Sequence, residues 1–252
     1  MLPLTQIMRK NQIAYHSYAD DTQIYLALPP NDYSPIDSLC KCIDEINSWM
    51  CQNFLQLNKE KTEVIALGSK EEVLKVNAYL DARGQTTKNQ VRNLGVILES
   101  DLSFSSHFKA VTKSAYYHLK NIARIRCFVS SQDLEKLVHA FITSSVDYCN
   151  GLLTGLPKKA IRQLQLVQNA AARILTRTRK SEHITPVLRS LHWLPVIFRI
   201  DFKVLLLIYK SLNGLGPKYI ADMLTEYKPN RPLRSLGSSH TKGSHKTRGI
   251  RF

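Results

Sequence analysis

The chain has 252 residues, of which 44% are apolar, so it is long enough to bury one large core or two smaller ones. Its five cysteines are irregularly spaced, which argues against a secreted disulfide framework. Arg9 and Lys10 come too early in the chain for the apolar core of a secretory signal to precede them. No apolar run is long enough to span a bilayer. We therefore expect a protein of the nucleus or cytoplasm, neither secreted nor in a membrane.

The formal net charge of +15 is unevenly distributed. Residues 1–155 contain 16 Lys and Arg and 16 Asp and Glu, whereas residues 156–252 contain 19 and 4. A neutral part followed by a strongly basic part is typical of a catalytic or structural unit joined to a unit that binds a polyanion. The charge favours nucleic acid as the partner, and the alternative is a solvated basic surface with a disordered tail.

The first part of the chain predicts a hairpin followed by a helix. Ile13–Ser17 and Thr22–Leu28 are β-prone segments on either side of an acidic turn. Pro35–Asn53 carries apolar residues at helical spacing, with Ser34 as its predicted cap. We expect these elements to pack as a small sheet against one helix.

Two further strands are predicted before the pattern becomes helical near Asp101. They are Val64–Leu67 and Val91–Leu98, and the polar stretch between them, which contains Gly84, is predicted as a loop. Four helices follow: one capped by Ser105 or Ser106, one after the Ser130–Asp133 capping box, one that begins at Pro157, and one over Val196–Leu212 that ends at Gly214.

This order predicts an α+β fold with its strands first. We expect a sheet-and-helix domain over 1–101, an all-helical basic domain over 102–228, and a basic tail over 229–252. In the tail Pro, Ser, Gly, Lys and Arg dominate and apolar periodicity is lost, which predicts disorder.

The acidic turn of the first hairpin has the sequence Tyr18-Ala19-Asp20-Asp21. Two adjacent carboxylates repel each other, and a divalent cation relieves that repulsion, because Mg²⁺ prefers oxygen ligands and takes one or two carboxylates plus substrate phosphates. In nucleotidyl transfer a pair of such metals activates the attacking hydroxyl and stabilises the leaving group. The alternative is that aspartate is simply a common turn residue.

A series of motifs resembles the reverse transcriptases of LINE-type (non-LTR) retrotransposons. YHSYADDTQIYL resembles motif C, and LPL before it resembles the segment that follows motif B. NFLQLN followed by KTE resembles motif D, and NLGV resembles the motif that places the primer end. The segments VDYCNGLLTGLP, LQLVQNAAARIL and LHWLPVIFRIDFK are similar to the helical region after the palm. The resemblance implies a partial palm, a small antiparallel sheet with a helix, followed by a thumb-like helical region.

The resemblance also implies roles for five residues. Asp20 and Asp21 match the catalytic pair that binds Mg²⁺, and Tyr18 matches the residue near the nucleotide and the primer terminus. Lys61 matches the general acid for the departing pyrophosphate, with an ordinary solvated lysine as the alternative. Gly95 would let the backbone approach the primer, although a strand bulge explains this glycine equally well.

Seven basic residues cluster in the helical region: Lys158, Lys159, Arg162, Arg173, Arg177, Arg179 and Lys180. On a helix that begins near Pro157, the first, third, fourth and fifth of these fall close to one stripe, which suits contacts to a phosphate backbone. In the family this region holds the RNA template and the DNA primer. The alternative is a solvated basic face.

Motif A, which supplies a further metal-binding aspartate, and motif B have no counterpart in this sequence. We therefore expect a truncated RNA-directed DNA polymerase that is inactive alone, unless another chain supplies the fingers and motif A. The alternative is a non-catalytic helical module that binds RNA or DNA, or a pseudogene product. Whether the chain is an enzyme stays open at this point.

Overall fold

The computed structural model describes residues 2–58, 60–226 and 250–251. The fold is α+β, as predicted, but its described part begins with a helix that was not predicted and not with strands. The chain divides into two compact units, Met1–His107 and Phe108–Phe252. The predicted boundary at Asp101 lies a few residues before this division, which falls in the first turn of a long helix.

The first unit contains helices and two β-hairpins. Its elements are α1 (Leu2–Lys10), β1 (Ala14–Tyr18), β2 (Asp21–Tyr25), α2 (Ser34–Gln52), α3 (Lys70–Asp81), β3 (Gln90–Asn93) and β4 (Val96–Glu99). β1 pairs with β2 and β3 pairs with β4, both antiparallel, as separate two-stranded sheets. The strands that the structure describes therefore do not join into the single small antiparallel sheet expected for a partial palm.

The helices α1 and α2 share a core with the first hairpin. Its buried members are Met8, Ile13, Cys42 and Ile46. Tyr15 of β1 and Ile24 of β2 are cross-strand partners and pack against this core. Burial of each large apolar side chain contributes about 1.5–3 kcal/mol, so these contacts hold the hairpin against the helices.

Two predictions for the chain between α2 and β3 are wrong. Val64–Leu67 is not a strand, since only Val64 forms an isolated bridge, to Thr87. The stretch predicted as a loop contains α3, which begins with a capping box: the Ser69 side chain accepts from the Glu72 N–H, and the Glu72 carboxylate accepts from the Ser69 N–H at 3.2 Å. Charged residues conceal the sparse apolar periodicity of α3, which buries only Val73 and Leu80.

The segment predicted as one strand over Val91–Leu98 is instead the hairpin of β3 and β4. Leu94 and Gly95 form its two-residue turn, with φ of +43° and +86°. Positive φ at both central residues matches the right-handed twist of the paired strands. The apolar residues continue through the turn, so their pattern did not reveal the reversal.

The chain between β4 and the next helix is held by Glu99 and His107. The Glu99 carboxylate accepts from the Ser106 hydroxyl at 2.7 Å and from its N–H at 3.2 Å. Burial raises the pKa of Glu99, but the hydrogen bonds from Ser106 and Ser103 outweigh it and leave that pKa below its usual value. Burial, with Arg92 nearby, lowers the pKa of His107, whose Nδ1 accepts from the Ile97 N–H. A neutral imidazole therefore supports this junction.

The second unit is helical in its described part, apart from one pair of two-residue strands. Its helices are α4 (Ser105–Ile125), α5 (Ser131–Val138), α6 (Ser144–Asp147), α7 (Lys158–Thr176), α8 (Ile184–Ser190), α9 (Val196–Leu212) and α10 (Lys218–Asp222), and a π-helical segment (His139–Thr143) joins α5 to α6. β5 (Thr225–Glu226) pairs with β6 (Ile250–Arg251). The rest of the tail predicted over 229–252 lies outside the described residues.

Local signals predicted α4, α5, α7 and α9, whereas the short helices α6, α8 and α10 were not predicted. The Ser130 hydroxyl caps α5 and accepts from the Asp133 N–H at 3.1 Å. The predicted range of α9 is confirmed, and Gly214 follows it with φ of +69°. Pro157 is the N-cap of α7 and not its first residue.

Helix α7 is the centre of the second unit and contacts α5, α8 and α9. Its buried residues are Ile161, Leu164, Val167, Gln168, Ala171 and Ala172. The Gln168 amide donates to the Leu194 carbonyl at 2.8 Å, and the Gln165 side-chain oxygen accepts from the Val196 N–H at 2.8 Å. These bonds attach the start of α9 to α7.

Candidate metal and nucleic-acid site

The first hairpin presents two carboxylates at its tip. Tyr18 and Asp21 are the last cross-strand pair, so Ala19 and Asp20 form a two-residue turn. Ala19 has φ of +52°, a left-handed conformation that costs a residue with a Cβ about 1–2 kcal/mol. Asp20 and Asp21 are both exposed to solvent. The tight turn thus leaves both carboxylates open to solvent at the tip of the hairpin.

The two faces of this hairpin have different environments. Because side chains alternate along a strand, Asp21 lies on the face opposite Ile24, which packs on the core. Tyr18 lies directly across from Asp21 on that outer face and is 69% exposed. Farther along, the rings of His16 and Tyr25 stack at a centroid distance of 5.4 Å. The end of the outer face therefore presents an aromatic ring and a carboxylate to solvent.

A hydrogen bond connects this hairpin to the second one. The Gln23 amide donates to the Asn93 side-chain oxygen. Gln23 shares the outer face with Asp21, and Asn93 directly precedes the turn at Leu94 and Gly95. The turn at Ala19 and Asp20 and the turn at Leu94 and Gly95 are far apart in the sequence. The structure brings them into one region of the first unit. Gly95 is a turn residue here and not a strand bulge.

Lys61 lies on an exposed segment after α2. Its N–H donates to the Asn58 carbonyl at 3.2 Å, within a turn. Among the residues that the structure describes, no hydrogen bond or ion pair joins the Lys61 side chain to Asp20 or Asp21. The predicted role of Lys61 as a general acid stays a prediction.

The donor set at the hairpin tip suits a hard cation in part. Two carboxylates supply the oxygen ligands that Mg²⁺ prefers. The described part of the chain contains no group of three or more His, Cys, Asp and Glu residues that could hold a metal ion. Asp20 and Asp21 can therefore contribute ligands to a Mg²⁺ site, and the remaining ligands must come from substrate phosphates, water or another carboxylate.

The basic residues of the second unit fall into two groups. Six are exposed: Lys158, Lys159, Arg162, Arg177, Arg179 and Lys180. The seventh, Arg173, is half-buried and donates to the backbone carbonyls of Arg179 and Glu182, the latter at 2.9 Å. Arg173 therefore holds the loop after α7, and Arg177 ends that helix in a left-handed conformation with φ of +58°.

The start of α7 is an electropositive end. The first turn contains Lys158 and Lys159 and no acidic residue, and Arg162 follows one turn later. Helix N-termini carry a partial positive charge, so cations placed there are unfavourable until an anion neutralises them. This arrangement suits a phosphate backbone.

Comparison with family models, curated proteins and solved structures finds no match to this chain. No described helix combines the length and the apolar character needed to cross a membrane.

Sequence reasoning missed Gln23 and Asn93, the pair that joins the hairpins. They are 70 positions apart, and neither belongs to a pattern that would predict their contact. Trp193, in the segment LHWLPVIFRIDFK, is 9% exposed and packs edge-on against His139 at a ring-centroid distance of 5.6 Å. It belongs to the core.

Proposed function

We propose that this chain is part of a LINE-type reverse transcriptase and binds an RNA template annealed to a DNA primer. The observation that carries the proposal is the first hairpin, whose tight turn leaves Asp20 and Asp21 exposed to solvent, with Asp21 opposite Tyr18 on the face away from the core. A hairpin that bears two adjacent carboxylates is the element that the sequence resemblance assigns to metal binding.

Polymerisation requires more than this hairpin supplies. Two-metal transfer needs carboxylates that position both ions, and most of its rate comes from holding the nucleotide against the primer. The described residues provide two adjacent carboxylates and no third acid close enough to complete a cluster. We propose that this chain alone binds nucleic acid without extending a primer, and that a segment or chain with motif A completes the site.

The non-catalytic alternative, a basic module that binds RNA or DNA, has its own support. The exposed cations at the two ends of α7 are suited to bind an anion and do not depend on the hairpin; we call them the α7 surface: Lys158, Lys159, Arg162, Arg177, Arg179 and Lys180. Both proposals predict binding to a duplex, and only the polymerase proposal assigns a cation to Asp20 and Asp21.

Duplex binding is the first test. The K158Q/K159Q/R162Q variant is expected to bind an RNA–DNA duplex at least tenfold more weakly than the unmodified chain. Because three cations no longer pair with phosphates, the slope of log K against log salt should become shallower by about two to three. Fluorescence anisotropy measures the affinity and its salt dependence. In a separate assay, primer extension by the unmodified chain in Mg²⁺ and in Mn²⁺ is expected to yield no product.

The matched control is K41Q/K70Q/K75Q, which removes the same charge from exposed positions of the first unit. Equal reductions of affinity in the two variants would show that net charge, and not the α7 surface, drives binding. Primer extension by the chain alone, abolished by D20N, would overturn the proposal that it is inactive by itself.

Cation binding separates the polymerase proposal from the non-catalytic one. Millimolar Mn²⁺ is expected to broaden the backbone amide NMR signals of residues 18–22, because two adjacent carboxylates attract a divalent ion weakly. D20N and D21N should each remove most of that broadening, whereas D81N, at an exposed position on α3, should not change it. Broadening that is absent at the hairpin, or unaffected by D20N, leaves only the non-catalytic interpretation.

A further inference from the structure

Helix α4 lies in a long stretch without acidic residues. No Asp or Glu occurs between Asp101 and Asp133, and α4 itself carries four cations: Lys109, Lys113, Lys120 and Arg124. All four are exposed, and none forms an ion pair within the part of the chain that the structure describes. An uncompensated row of cations attracts a polyanion.

The cations lie on one side of α4, together with two tyrosines. At about 100° per residue, the four cations and the two tyrosines fall within an arc of about 100°. We call this the basic–tyrosine face: Lys109, Lys113, Tyr116, Tyr117, Lys120 and Arg124. The buried residues Phe108, Ala115, Leu119 and Ile122 point away from it into the core. The basic–tyrosine face is therefore open to solvent while the apolar face is occupied.

The tyrosines of this face are open to solvent. Tyr117 is 65% exposed and Tyr116 is 45% exposed, and Phe128, just past the end of α4, is 85% exposed. Cations that follow a phosphate backbone, combined with aromatic rings on which bases stack, are the features that bind single strands without sequence preference.

We propose that the basic–tyrosine face binds a single strand of RNA or DNA. From Lys109 to Arg124 the helix rises about 22 Å, which is long enough to contact several successive nucleotides of a single strand. The proposal goes beyond the proposed function, which concerns a duplex held at α7, and it stands if that function fails.

Two other partners fit the face less well. A duplex offers phosphates but keeps its bases stacked inside, so the tyrosine rings would gain nothing from it. A membrane surface binds an amphipathic helix through its apolar face, which α4 has already buried in the protein. A single strand uses both the cations and the rings.

The test measures the affinity of the full chain for a fluorescent twelve-nucleotide single strand, as RNA and as DNA, by anisotropy. Y117A is expected to weaken binding about fivefold to a hundredfold with an unchanged salt slope, because it removes one stacked ring. K109Q/K113Q/K120Q should weaken binding and make the salt slope shallower by about two, because each neutralised phosphate on a single strand adds about 0.7 to that slope.

Two controls make the outcome specific. Y209A removes a tyrosine of similar exposure on α9 and should leave single-strand binding unchanged, while K158Q/K159Q/R162Q should weaken duplex binding more than single-strand binding. Unchanged affinity in Y117A, or an equal reduction in Y209A, would overturn the proposal. The proposal would also be overturned if K109Q/K113Q/K120Q kept its affinity for the single strand but lost its affinity for duplexes or for phosphatidylserine vesicles. Helical circular dichroism should be the same for all variants, since every altered residue is exposed.

Discussion

Truncating Leu164 to alanine is expected to lower the free energy of unfolding of the second unit by about 2–5 kcal/mol. Leu164 is 2% exposed and lies on the face of α7 that carries the core. The surrounding helices can only partly collapse into the space, so the destabilisation combines the transfer free energy of the side chain with the cost of a cavity. Urea unfolding followed by circular dichroism at 222 nm measures it.

The same helix supplies the control. Leu166 lies two residues away and is 48% exposed, so L166A should cost well under about 1 kcal/mol. A similar destabilisation in both variants would contradict the placement of Leu164 in the core and the orientation of α7. The free energy of unfolding of a domain is typically about 5–15 kcal/mol, so this loss should leave a fraction of the L164A molecules unfolded at 37 °C. L164A should therefore also weaken binding at the α7 surface.

Truncating Met8 to alanine is expected to destabilise the first unit by about 2–5 kcal/mol and to loosen the hairpin that bears Asp20 and Asp21. Met8 is 1% exposed and belongs to the cluster that joins α1 and α2 to β1 and β2. The hairpin has only two strands, and such a ribbon is marginally stable without packing support. Hydrogen exchange of the amides in 14–25 should accelerate strongly in M8A.

M223A is the control for this prediction, because Met223 is 66% exposed and lies in the second unit. It should leave the exchange of 14–25 unchanged. Unaltered exchange in M8A would show that the hairpin is held by contacts other than this core, such as the hydrogen bond between Gln23 and Asn93. If the hairpin loosens, Mn²⁺ broadening at residues 18–22 should fall with it, which ties cation binding to the support from α1 and α2.

The α7 surface shows why a basic residue in the sequence is not always a binding residue. Arg173 lies close to the stripe predicted for phosphate contacts, yet its guanidinium donates to two backbone carbonyls of the following loop. Lys158, Lys159 and Arg162 have the same charge and remain exposed at the start of the helix. Only the path of the chain after α7 distinguishes the two cases.

The elements that the sequence predicted correctly depend on local interactions. The cap at Ser130, the range of α9 and the acidic turn between β1 and β2 each follow from residues within a few positions of one another. Helix α3 was not predicted because charged residues conceal its apolar periodicity. The turn at Leu94 and Gly95 was not predicted because apolar residues continue through it.

The sequence by itself therefore determined the charge distribution, the four longest helices and the two carboxylates at a hairpin tip. The tertiary structure decided that Asp21 and Tyr18 face away from the core, that Gln23 meets Asn93, and that α4 leaves its cations and tyrosines exposed. The reason is physical: caps and periodicity act between near neighbours, whereas the side of an element that meets solvent depends on which distant apolar residues pack against the other side.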